Sequence, residues 1–332
     1  MKRVIVVGVL STVAFLAIIA CTSELIGAGS LEMDRNSNEE SLKSFADNYQ
    51  YEAKEWGVLS PFEEDGLWGF KNDHDEIIVE PQYSYVHPFS EGLAFARGVE
   101  GREYQTGFID LTGKLIIPLP YIFSVSRFSE GFALIREWDG LTDDEFLDPW
   151  VPAAIGSIGY VIFIDRTGQD VFGQKFHFAS PFSEGLAFTR GLEGKEHMTG
   201  FIDTTGALVI PLPNVIEGGT FSEGFAVITK RMWDRANENV LITGTPGPRV
   251  FIDRAGQNTF GQEFLSVTPF SDGLARVSLL NGNMAFIDTT GRNAFRREFR
   301  LAGNFDEDGY ASVTLLDGSG AIIHRSGTIR YP

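Results

Sequence analysis

From about residue 56 the apolar residues fall into short runs broken by Gly, Pro, Asp and Ser at regular places. The clearest stretch is Pro88–Pro120, PFSEGLAFARGVEGREYQTGFIDLTGKLIIPLP. Leu93-Ala94-Phe95-Ala96 alternates large and small side chains, which predicts a strand with one packed face. Gly107-Phe108-Ile109-Asp110 predicts a second strand, and Lys114–Ile117 a third that returns beside it. Between these two, Asp110-Leu111-Thr112-Gly113 reads as a tight turn, with Asp bonding the backbone two residues on and Gly taking a positive φ. Pro118 ends the returning strand because it has no N–H to give to a ladder. Phe89–Gly92 reads as a further turn, with Glu91 exposed and Phe89 plugging the layer between neighbouring units.

The same stretch returns 93 residues later as Pro181–Pro213, identical at 25 of 33 positions. Weaker copies fill the rest of the chain. Phe-Ser-Glu-Gly starts at Phe89, Phe128, Phe182 and Phe221, Phe-Ser-Asp-Gly at Phe270, and a degenerate form spans Phe305–Gly309. Successive spacings of 39, 54, 39, 49 and 35 residues imply that pairs of units duplicated together, with insertions near Glu137–Gly159 and Arg231–Arg249. Phe-Ile-Asp-x-x-Gly starts at Phe108, Phe163, Phe201, Phe251 and Phe286. One such unit cannot bury its apolar face alone, whereas a stack forms a continuous core. The expected fold is therefore all-β: about six tandem three-stranded antiparallel β repeats in an open, solenoid-like or superhelical array. A closed, propeller-like ring is the alternative.

These paired signatures resemble the WG-repeat family, also called KWG repeats, whose units read roughly F-x-E-G-L-A-x-V and then W-G-[FY]-I-D-x-x-G-x-x-V-I-x-P. The resemblance runs from about Trp56 to Pro332. Trp-Gly itself survives at Trp68-Gly69, with Trp56-Gly57 as a weaker instance, while other copies carry Thr106-Gly107, Thr199-Gly200, Arg249-Val250 or Met284-Ala285. The family resemblance implies an exported or surface interaction module of bacteria without assigned catalysis.

The start of the chain changes the setting. Met1-Lys2-Arg3 is basic, Val4–Ile19 is a 16-residue apolar run, and Ile18-Ile19-Ala20-Cys21 follows. This is the form of an export signal over residues 1–20. As a helix the run reaches only about 24 Å, short of a hydrocarbon core of about 30 Å, which argues against an uncleaved anchor. Its end resembles a bacterial lipobox, which implies lipidation of Cys21 and attachment to the membrane through that lipid. Thr22 in place of Asp implies the outer membrane if the cell has one. Residues 21–50 are polar and acidic and read as a flexible tether, leaving residues 51–332 for the repeat domain. Cys21 is the single cysteine, so no intramolecular disulfide forms. The formal charge of −18 repels phosphate backbones, which excludes nucleic acid as an expected partner.

Candidate chemistry is sparse. The five histidines occupy no common repeat position, and no H-E-x-x-H, Gly-x-Ser-x-Gly or phosphate-cradling loop is present. Asp110, Asp165, Asp203, Asp253 and Asp288 recur, as do Glu91, Glu130, Glu184, Glu223 and Asp272. Residues needed by every unit point to structure, so turn formation is the expected role of the Asp set. For the Glu set, at a turn tip, ligand binding stays open beside structure. Function is sought instead where near-identical copies differ: Tyr104 against His197, Gln105 against Met198, and Ala96 against Thr189. With the insertion tryptophans Trp138, Trp150 and Trp233, the candidate ligand-binding set is Tyr104, Trp138, Trp150, His197 and Trp233. The reading is a non-enzymatic, lipid-anchored module at the cell envelope that binds a protein or glycan, with no cofactor and no metal. An envelope hydrolase using carboxylates from different units, and a purely structural spacer, are the alternatives. Cys21→Ser is expected to abolish metabolic labelling of the chain with palmitate, and labelling that persists would overturn the lipobox reading.

Overall fold

The architecture follows from turns that let a short strand double back before it has buried its face. A computed structural model describes residues 57–99, 101–120, 122–138, 158–230, 233–234, 237–241 and 247–331. Cys21, Trp150 and the segment read as a tether lie outside the described residues. Apart from a three-residue 3₁₀ turn at Glu103–Gln105, every described regular element is a β-strand. Residues from Val58 onward form one compact unit.

Group two shows the plan. Its sheet runs Tyr85–Val86, Ala94–Arg97, Gly107–Ile109 and Leu115–Pro118, each strand antiparallel to the next. The last group repeats the plan with Leu301–Ala302, Tyr310–Thr314, Gly320–His324 and Ile329–Arg330. Among the described residues the first group has Ser60–Glu64, Leu67–Lys71 and Ile77–Tyr83, with no opening strand ahead of them. Groups three and four share one seven-stranded sheet, because Phe176–Ala179 pairs both with Ile158–Ile164 and with Leu186–Leu192. Group five is built on Val215–Gly218, Ala226–Lys230 and Arg249–Ile252, and group six on Ser266–Val267, Leu274–Ser278 and Met284–Asp288. In these two groups the closing strand is reduced to bridges, such as Arg249↔Phe264 and Met284↔Phe299.

The array is thus all-β, in small antiparallel sheets of which none closes into a barrel, consistent with an open repeat array. Two features differ from the sequence expectation. Each group after the first gains a fourth strand, two to four residues long, ahead of the Phe-Ser-Glu-Gly turn. It was invisible because so short a run carries no readable period. Among the described residues there are seven groups for six such turns, since the first group has no opening strand for a turn to follow.

The core is a chain of phenylalanines running from group to group. Each turn Phe packs on the Phe of the preceding group's third strand. The ring centroids lie 4.6 Å apart for Phe70–Phe89, 4.8 Å for Phe108–Phe128 and 5.1 Å for Phe163–Phe182. Further along they are 4.9 Å for Phe201–Phe221, 4.9 Å for Phe251–Phe270 and 4.7 Å for Phe286–Phe305. The sequence reading of this Phe as an inter-unit plug therefore holds. Edge-to-face and tilted pairs at this spacing add about 0.5–1.5 kcal/mol beyond area burial. Phe201 has no exposed surface and touches both Phe188 and Phe221. Phe201→Ala is expected to destabilise the array by about 3–5 kcal/mol in urea unfolding, and a loss under about 1 kcal/mol would mean that the rings are not the seam.

Candidate functional site

The Ser-Glu-Gly turn is a two-residue hairpin. Ser90 N–H donates to Leu93 O at 3.0 Å and Leu93 N–H to Ser90 O at 3.1 Å. Glu91 and Gly92 both take positive φ, 51° and 86°. Such a turn favours Asn-Gly or Gly-Gly. Glutamate at this position recurs at Glu130, Glu184 and Glu223, all at φ 54°, with Asp272 at 51°.

The carboxylate explains the choice. Glu91 Oε2 accepts the N–H of Gly131, the turn glycine of the next group, at 3.0 Å. Glu130 does the same for Gly185 at 2.8 Å, Glu184 for Gly224 at 3.0 Å and Glu223 for Gly273 at 3.0 Å. Beside each, a serine hydroxyl donates to the next group's turn phenylalanine: Ser90 to Phe128 O, Ser129 to Phe182 O and Ser183 to Phe221 O at 2.7 Å, and Ser222 to Phe270 O at 2.8 Å. Glu91 is therefore a half-buried clasp rather than the exposed residue expected from its place at a turn tip. In alternate groups an arginine reinforces it, Arg166 on Glu91 at 2.8 Å and Arg254 on Glu184 at 3.4 Å. At the end of the array Arg325 holds the shorter Asp272 at 2.7 Å.

The repeated aspartates close the other turn. Asp110 Oδ1 accepts from the N–H groups of Thr112 and Lys114 at 3.0 Å and from the Thr112 hydroxyl at 2.6 Å. Asp165, Asp203 and Asp288 repeat all three bonds, and Asp253 the two backbone bonds. Hydrogen bonds from Thr205 and Thr290, above all from their hydroxyls, hold the carboxyls of Asp203 and Asp288 below the usual aspartate range. The turn role expected for this set holds.

The candidate binding residues fall at or beside the connection between second and third strands of their groups. Tyr104 lies in the 98–106 connection and is 66% exposed. Trp138 ends the second strand of group three, paired with Ile158. His197 lies near the start of the third strand of group four, and Trp233 opens a small hairpin with Asn237–Leu241 inside the group-five connection. Trp150 falls within the group-three connection, outside the described residues. Ala96 and Thr189, by contrast, are both buried, so this difference between copies is absorbed by the core. Nearby, the half-buried ring of His87 has a buried Nδ1 without a partner, and burial first, then Arg127 and Arg97, pulls its pKa down.

Sequence reasoning missed a cavity of about 370 Å³ lined by groups four, five and six, with Phe178, Arg190, Gly219 and Arg249 in its wall. Its signal was present: group five reads Gly218-Gly219 where groups three, four and six read Val125-Ser126, Ala179-Ser180 and Val267-Thr268.

Glu184 separates two effects at one position. Glu184→Ala removes the clasp and keeps the strained φ, with an expected loss of about 1–3 kcal/mol. Glu184→Gly removes the clasp and relieves the strain, and is expected to be milder by about 1 kcal/mol. Equal losses in thermal or urea unfolding would show that the positive φ carries no strain.

Three comparisons bear on this architecture. Comparison with curated proteins gave no match. Among solved structures, apo AztD from Citrobacter koseri is similar at 11% identity over 82% of this chain and 78% of that chain, with a TM-score of 0.36. The extracellular domain of the putative hybrid two component system BT4673 from B. thetaiotaomicron matches at 12% identity over 80% of this chain and 40% of that chain, with a TM-score of 0.30. The WD40 beta propeller domain of Doa1 matches at 12% identity over 72% and 74%, with a TM-score of 0.29. The family model for the WG containing repeat matches residues 68–101 and 107–140. Each matched stretch holds the last two strands of one group and the first two of the next, so these residues are two WG-type repeats.

Proposed function

We propose that this chain is a non-enzymatic binding module, held at the cell envelope by lipid on Cys21, whose array presents a protein- or glycan-binding face. One observation carries the reading. Four of the eight differences between the near-identical copies, and the inserted tryptophans, fall at or beside the second-to-third-strand connection of their groups. Stacking equivalent groups brings equivalent connections to one edge of the array, as in other repeat proteins that bind along a built face. Tyr104, Trp138, Trp150, His197 and Trp233 are the contact residues of this proposal. Aromatic side chains at such an edge offer large, stiff surfaces for stacking on sugars or for packing on a protein partner. The repeated carboxylates are committed to clasps and turns, which leaves binding at the connections as the better-supported activity. The apolar leader, its small residues before Cys21 and the acidic, polar stretch that follows support display on a tether.

A glycan array and an envelope pull-down with the purified chain test the reading. The expected result is one enriched ligand whose retention falls roughly tenfold or more in Trp138→Ala or Trp233→Ala with folding intact, since aromatic contacts of this kind are worth about 2 kcal/mol or more. Equal retention by the variants would overturn it.

A further inference from the structure

The cavity at groups four to six goes beyond that reading, because it lies along the short opening strands and not at the connections. Two guanidinium groups line it. Arg190 donates through Nη1 to Ile216 O at 2.6 Å, and Arg249 through Nη1 to Leu265 O at 2.7 Å. Neither meets a carboxylate within ion-pair distance among the described residues, whereas Arg166, Arg254 and Arg325 each do. In a chain with 45 acidic and 27 basic residues, two arginines without an ion-pair partner outnumber the one carboxylate in the lining, Glu217, and leave the cavity locally cationic. A guanidinium carries five N–H donors, so each retains donors beyond the one spent on a carbonyl.

The space itself has a specific origin. In groups three, four and six a hydroxyl fills the corresponding place and accepts an N–H from the facing strand: Ser126 from Leu134 at 2.9 Å, Ser180 from Phe188 at 2.9 Å and Thr268 from Arg276 at 3.0 Å. Group five has Gly219 there. A Cβ on Gly219 would find only Val227 O, at 3.6 Å, so the glycine is not forced there by close packing. Gly218 differs, since a Cβ there would strike the Phe188 ring. The rest of the lining joins apolar groups, among them Val227, Val267 and the exposed ring of Phe178, with the polar Glu217, Thr220 and Thr229. The Arg190 guanidinium lies over that ring at 5.9 Å, which fixes its direction. At about 370 Å³ the cavity sits near the lower end of small-molecule sites, which run from roughly 300 to 1,000 Å³.

We propose that this cavity binds a small organic monocarboxylate with an apolar body. The carboxylate sits between Arg190 and Arg249, and the body lies against Phe178, Val227 and Val267. Paired guanidiniums suit a planar, two-oxygen anion because each offers parallel donors. Glu217, also in the lining and 3.4 Å from the Thr229 hydroxyl, repels a second anionic group and so selects monoanions.

Calorimetric titration of the full chain with benzoate tests this, with benzamide as a neutral probe of the same shape. Saturable benzoate binding is expected, with benzamide at least about tenfold weaker because it forfeits the charge-assisted bonds. Arg249→Gln is expected to weaken benzoate by roughly tenfold or more, and Arg249→Lys to weaken it less. Gly219→Leu, which puts a side chain into the vacant place, is expected to abolish binding, with thermal unfolding checking that the variant folds. Should Arg249→Gln fail to fold, Gly219→Leu decides. No saturable benzoate binding by the folded wild-type chain would overturn the proposal. So would equal affinity for benzamide, or undiminished benzoate binding in Gly219→Leu.

Discussion

A glutamate held in a backbone conformation that suits glycine is the constraint on which the rest of the array depends. At Glu91, Glu130, Glu184 and Glu223 the left-handed φ costs about 1–2 kcal/mol relative to an unstrained residue. A hydrogen bond to a charged group contributes about 1.5–3 kcal/mol, so a carboxylate that reaches the next turn more than offsets its own strain. Asparagine would suit the hairpin better, yet it lacks both the length and the charge to bridge two groups. The same turn places the phenylalanine that seals the seam and the serine that ties it to the next group's backbone. One four-residue stretch thus supplies the hairpin, the plug, the clasp and the tie.

The clasp also gives the array a direction and two distinct ends. Each carboxylate points to the group that follows, and among the described residues none reaches Gly92 from the first group. At the other end the turn from Phe305 to Gly309 is one residue longer, and Asp306 bonds within it, accepting the N–H of Tyr310 at 2.7 Å. Arg325 there secures Asp272 and the carbonyl of Ser271 instead. Arginine in alternate groups follows the paired duplication visible in the spacing of the turns. Because each matched WG-type stretch begins at the third strand of one group and ends past the second strand of the next, it covalently joins two sheets.

Much of this was legible in the residues. Tight turns at Asp110 and its counterparts follow from Asp-x-x-Gly, and the plug role of Phe89 follows from an aromatic recurring beside a turn. The strand count was less accessible, because two residues such as Tyr85–Val86 show no alternation to read. The role of Glu91 was hidden for a different reason: it is defined by a partner in the next group, Gly131, and nothing local marks a contact across 40 residues. Ala96 and Thr189 show the opposite error, since a difference between copies looked like surface and lies in the core. The arginine-lined cavity could have been found by aligning the opening strands and asking why Gly219 stands where Ser126, Ser180 and Thr268 carry hydroxyls, although His87 and Gly303 show that the position does not always carry one.

Amide hydrogen exchange at the turn glycines measures the clasp most directly. The account predicts strong protection at Gly131, Gly185, Gly224 and Gly273, whose N–H groups donate to a carboxylate of the preceding group, and faster exchange at Gly92, whose N–H meets no carboxylate among the described residues. Similar exchange rates at all five glycines would contradict it.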